Sequence, residues 1–252
     1  VTITDGTLQV TGANKLPSSG TVTVAASKTL DLNQSQSVAS LAGAGTVDIA
    51  SGMTLSLTDT GTIGILAGTG TVSVANTKTL SLTDTGTIGL LAGTGTVSVA
   101  SGETLTLSGT GTVPTAIGGA GNLAISGTVA QTGTVSNSGT RTIASGGTWK
   151  LGPAAMTYAV ANAGTLEFNS AGTIGNGAVT GAGLISINAS GNTVVVDGSS
   201  SLGSTGGVTI TDGTLQVTAA NRLQWIGTIT VSSSGTLDLD QSQSVASLAG
   251  AG

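Results

Sequence analysis

The side chains able to do chemistry are few. The 252 residues include no histidine and no cysteine. That removes the usual general base, the usual zinc ligands and both common nucleophilic dyads. Carboxylates remain, with 11 Asp and Glu against 6 Lys and Arg. Asp59 and Asp84 hold the same place in two successive copies of a 25-residue repeat. If each copy is one coil of a stack, the two acids sit about 4.8 Å apart on one turn edge. A like-charge pair at that spacing binds a cation or raises one pKa. The third copy has Gly109 there, after Ser108, so the column stops at two, and a solvated turn is the plainer reading. Asp31 with Asp48, and Asp238 with Asp240, do not assemble a recognisable lyase or glycosidase pair. The glycine-rich calcium-binding nonapeptide is absent. The glycines open strands rather than a helix, which excludes a nucleotide-binding loop. No catalytic or cofactor-binding residue is expected, no cofactor, and no metal ligand beyond the weak candidates Asp59 and Asp84.

These acids ride on a repeat. Ala42, Ala67 and Ala92 open three near-identical copies, the second reading AGTGTVSVANTKTLSLTDTGTIGLL. A short period of this kind marks stacked units. Within the second copy, Thr71–Val74, Thr79–Leu82 and 87–90 alternate aliphatic with hydroxyl or glycine, the mark of half-buried strands. Turn residues such as Asn76 and Asp84-Thr85-Gly86 separate them. Three strands and three turns read as one coil of 25–26 residues, so Val47, Val72 and Val97 are expected to stack, as are Leu57, Leu82 and Leu107. Outward, Thr46, Thr71 and Thr96 would form one column and Thr54, Thr79 and Thr104 another. Regular threonine ranks order water and bind ice, but Asp48, Ser73 and Ser98 break the double array, and Thr is a good outward strand residue in any case.

A longer period lies over the short one. VTITDGTLQVT begins at Val1 and again at Val208, and QSQSVASLAGAG begins at Gln34 and Gln241, both 207 residues apart. The chain is therefore read as one long repeat over 1–207, taken as eight coils, and the start of the next over 208–252, continuous with the first. Between the two copies Asn14-Lys15-Leu16-Pro17-Ser18-Ser19 becomes Asn221-Arg222-Leu223-Gln224-Trp225-Ile226. Trp225 and Ile226 either fill a local gap or protrude as a candidate surface contact. Residues 126–175 are looser, with Met156, Tyr158, Val160, Leu166 and Phe168 as larger inward candidates.

Composition narrows the partners. Only 7% of residues are charged and 2% aromatic, with 42 glycines and a net charge of −5. No basic cluster favours nucleic acid or an acidic membrane surface. No apolar run is long enough to span a membrane as a helix. The first residues already read as strand, and no signal peptide is visible, so the sequence reads as an excerpt of something longer whose cut ends would tend to associate.

Gly6-Thr7-Leu8-Gln9-Val10, Asp31-Leu32 and Ser37-Val38-Ala39-Ser40-Leu41-Ala42-Gly43-Ala44-Gly45 resemble the autotransporter-associated β-strand repeat, and the pattern recurs from Gly213 to Gly252. The resemblance implies a secreted passenger of an autotransporter or a giant filamentous-haemagglutinin-like surface adhesin, with a right-handed parallel β-helix fold. The expected fold class is all-β: a right-handed parallel β-helix (β-solenoid) of three strands per coil and about ten coils. The expected function is the non-catalytic shaft of a bacterial extracellular filament on the cell surface. Its partners would be neighbouring repeats of the same chain, sister fibres or host-cell receptors, without nucleic acid. The alternatives are a solenoid face that binds glycan, ice or a sister fibre, and a glycan-processing enzyme on the same fold.

Overall fold

The computed structural model describes residues 1–151, 156–175, 177–223 and 226–252. They contain no helix; the chain is a β-solenoid of parallel strands with about 13 turns. Two compact units are formed, Val1–Gly139 and Thr140–Gly252.

In the first unit the strands are short because glycine corners interrupt them. One face stacks Thr7–Val10, Thr29–Leu32, Thr46–Ile49 and Ile65–Gly68. Gly86–Ile88, Thr104–Leu107 and Asn122–Ile125 continue this face, with Gly86 set directly on the Leu66 backbone. The second face stacks Gln36–Val38, Thr54–Leu57, Thr71–Val74 and Leu90–Ala92. The third stacks Gly61–Ile63, Thr79–Leu82, Thr96–Val99 and Ala116–Gly119. The inward aliphatics, among them Leu55, Val72, Leu80, Leu91 and Val97, are fully buried. Alternation in the sequence thus assigned the inward and outward sides correctly.

The coil is shorter than the repeat. Thr54 pairs with Thr71, Thr71 with Leu90, and Thr7 with Thr29, each partner closer along the chain than one full copy. The expectation that one copy makes one coil is therefore corrected. Ten coils become about 13, and the 207-residue period spans about eleven coils rather than eight. The difference arises at Gly89. The segment 87–90, read as one strand, is two: Gly86–Ile88 and Leu90–Ala92. Gly89 is the corner, where a Cβ would overlap the Thr69 carbonyl oxygen of the coil below. Each copy of the repeat thus carries four strands. Val47 stacks on Leu30 and Leu66, Val72 on Leu55 and Leu91, and Val97 on Leu80 and Ile117. No two of the three valines are neighbours.

A uniform three strands per coil does not hold. From Gln36 to Gln131 each ladder joins a strand to the third one on, but Thr7–Val10 pairs with the second one on. In the second unit the corners straighten into long strands: Leu184–Val196, Val208–Val217 and Thr228–Leu239. The last two pair directly with each other. Register shifts at Ile187/Asn188, Asn188/Thr193 and Ile210/Asp212 mark where these strands bend. Of the larger residues expected inside, Met156, Val160, Leu166 and Phe168 are buried, while Tyr158 is half-buried.

Candidate functional site

The shorter coil separates the two candidate metal ligands. Asp59 precedes Gly61–Ile63 on the third face, and its N–H donates to the Ala39 carbonyl at 2.8 Å. Asp84 precedes Gly86–Ile88 on the first face, and its N–H donates to the Gly64 carbonyl at 3.2 Å. No ladder brings the two carboxylates together, so the expected stacked pair is not formed. One coil above Asp59 lies Lys78 instead, whose ammonium is 3.0 Å from Oδ1. Lys78, and then the Thr60 N–H at 2.8 Å, hold the Asp59 carboxyl below the usual carboxylate range. Asp5 is lowered in the same way by Lys28 at 2.8 Å and by the Gly6 N–H. A depressed folded-state pKa stabilises the fold at neutral pH, and that contribution is lost as pH falls through the folded value, below about pH 4. Both acids are exposed, so the contribution is small. In the next copy Glu103 takes the place of the lysine, and its carboxylate accepts the Thr85 hydroxyl at 2.7 Å. Among the described residues no group of three or more acidic, histidine or cysteine side chains could hold a metal.

Asp31 and Asp48 are register neighbours on the first face. Gln9 Nε2 donates to Asp31 Oδ2 at 2.9 Å, and Gln216 repeats the contact on Asp238 at 3.2 Å and on Asp240 at 3.3 Å. Asp31, Asp238 and Asp240 are therefore partnered by amides of the preceding coil. The expected threonine columns are regrouped: Thr46 lies in register with Thr29 and Thr7, a run of three ended by Ile65. Thr54 with Thr71 and Thr79 with Thr96 make pairs, ended by Leu90 and Ala116.

Trp225 lies outside the described residues. Ile226 is only 2% exposed and belongs to the core, which corrects its reading as a surface contact. The loop before it is held by Gln243, whose Oε1 accepts the Arg222 and Leu223 N–H groups at 2.7 and 3.2 Å. Its Nε2 donates to the Ala219 carbonyl at 2.7 Å. Gln36 makes the same bonds to Lys15, Leu16 and Gly12 in the first copy, and is 2% exposed. This staple was not anticipated from the sequence. The signal was a glutamine in phase with the inward Val38, where an aliphatic is the rule.

In the second unit Trp149, fully buried, stacks on Tyr158 with ring centroids 6.0 Å apart and planes 21° apart. The Arg141 guanidinium lies 4.3 Å from the Tyr158 centroid, a cation–π contact. Burial pushes the Tyr158 phenol up to about 12, and Arg141 pulls weakly the other way. Tyr158 is the only tyrosine in the chain, so its phenolate absorbance can be followed alone. Its titration midpoint is expected near 12. The stability tied to the neutral phenol is present below about pH 10 and lost as pH rises toward the folded value. A midpoint near the unperturbed value would mean that the stack does not hold in solution.

Large apolar side chains exposed among the described residues are Val1, Leu239 and Leu248, in the first and last coils. Among the described residues no helix is long and apolar enough to cross a membrane. No family model, curated protein or solved structure matches the chain.

Proposed function

We propose that this chain is a structural shaft: a non-catalytic segment of a long bacterial extracellular adhesin or surface filament. The observation that supports the reading best is the first unit's ladder. Each interior coil is hydrogen bonded to two neighbours, and the same corner recurs on every face. Length then grows linearly with the number of copies, which is what a spacer requires. The outward residues of the second and third faces are mostly short uncharged hydroxyls, among them Ser56, Ser73, Ser81 and Ser98. Extracellular placement rests on the resemblance of the GTLQV and SVASLAGAG segments to autotransporter-associated repeats. The partners proposed are neighbouring repeats, sister fibres and cell-surface receptors held by other parts of such a filament. The second reading, a solenoid face for glycan, ice or a sister fibre, draws on the paired threonines Thr54/Thr71 and Thr79/Thr96.

Duplicating residues 1–207 in a surface-displayed chain that carries an epitope at its tip tests the proposal. Val1 then follows Gly207, as Val208 does now. About eleven added coils should lengthen the fibre by roughly 53 Å, seen by electron microscopy, with capture through the tip retained at greater reach. Saturable binding of glycan or ice by the chain without its tip would favour the binding face, and cleavage of a polysaccharide would favour the enzyme.

A further inference from the structure

We propose that the 25-residue repeat is a rotational step: each copy carries the chain through one and one-third coils, so copy number sets which face the following coils present. The inference rests on strand register within Val1–Gly139 and is independent of the shaft reading; a binding module would inherit it equally.

Equivalent strands of the three copies do not share a face. Thr46–Ile49 lies on the first face, Thr71–Val74 on the second and Thr96–Val99 on the third. Four strands per copy against three per coil in this region produce that rotation. After three copies, which make four coils, the pattern returns to its first face. The copies are interchangeable because each corner is built alike. Gly43, Gly68, Gly93 and Gly119 all have positive φ, and at each a Cβ would overlap the carbonyl oxygen of the residue beneath: Val24, Ile49, Val74 and Val99. The second glycine of each corner, Gly45, Gly70, Gly95 or Gly121, packs on the side chain of that same residue. One corner design therefore serves all three faces, and Leu66-Ala67 and Leu91-Ala92 are identical joints.

The consequence is directional. The first face carries the Asp31 and Asp48 row, while the second and third carry serine and threonine at the corresponding strands. Adding one copy moves every later outward side chain to a neighbouring face relative to that acidic row. Adding three moves it only along the axis.

Cysteine is absent, so a double-cysteine chain can be labelled at two chosen points. Thr7→Cys and Ala124→Cys place spin labels on outward positions of first-face strands. One, two or three additional copies of residues 67–91 are inserted after Leu91, and the label separation is read by pulsed electron paramagnetic resonance. Each copy adds about 6 Å along the axis. The first copy is expected to lengthen the separation by clearly more than this, because the upper label also moves to another face. The third returns it above the lower label, so that step is the smallest and the total gain is about 19 Å. Three equal steps would overturn the proposal by making each copy a whole number of coils. Failure of the inserted chains to fold, judged by circular dichroism, would also overturn it, since interchangeable copies must stack.

Discussion

Leu82→Asp is expected to lower the urea midpoint of the chain sharply, whereas Ser81→Asp should leave it almost unchanged. The two residues are adjacent in Thr79–Leu82 and point to opposite sides. Leu82 is 1% exposed and lies in register between Ile63 and Val99. An aspartate there loses the packing of a buried leucine and places a carboxylate among aliphatics with no cation to pair it. Together these cost about 4 kcal/mol or more. Ser81 faces outward between Thr62 and Ser98, both neutral, so a carboxylate stays hydrated there and the change is within about 0.5 kcal/mol. Equal losses from the two substitutions would refute the strand's orientation. Because each coil is braced by its neighbours, the Leu82 variant should also broaden the transition by uncoupling coils on either side.

Gly93→Ala is expected to be far more damaging than Gly102→Ala, although both glycines have positive φ, at 76° and 84°. The left-handed backbone costs any residue with a Cβ roughly 1–2 kcal/mol, and that is all Gly102 should show. Its turn, between Thr96–Val99 and Thr104–Leu107, leaves nothing within 4 Å of an added Cβ. At Gly93 the same Cβ runs into the Val74 carbonyl oxygen, a backbone atom that cannot turn aside. Relief requires the coils to separate and weakens the ladder between Thr71–Val74 and Leu90–Ala92. A loss of at least about 3 kcal/mol is expected, measured as a shift in the denaturation midpoint against the Gly102 variant. Similar losses at the two sites would mean that the corner is not closely stacked.

These two substitutions separate what was legible in the sequence from what was not. The side of each strand that faces inward is a local property. Period-2 alternation in Thr71–Val74 or Thr79–Leu82 dictates it, because a one-residue slip would bury every hydroxyl. The all-β class and the stacking of coils follow from the same alternation and from the short repeat. The partner of each inward residue is not local. Val47, Leu55, Val72, Leu80 and Val97 are interchangeable aliphatics, so no pairing is marked as preferred, and the identity between copies suggested the wrong one. Coil length is set by closure: the chain must turn through its corners and return to the first face one strand spacing higher. Gly89 supplied a corner where an alternating strand was expected, so the coil closed before a full copy had been used. That closure took Asp84 away from Asp59 and brought Lys78 to it. Stacking register likewise set Gln36 against the backbone of residues 12–16, and packing put Ile226 in the core. Burial along a strand was thus written in the order of its residues. Contact between strands was not, because stacking register depends on corners that close in three dimensions.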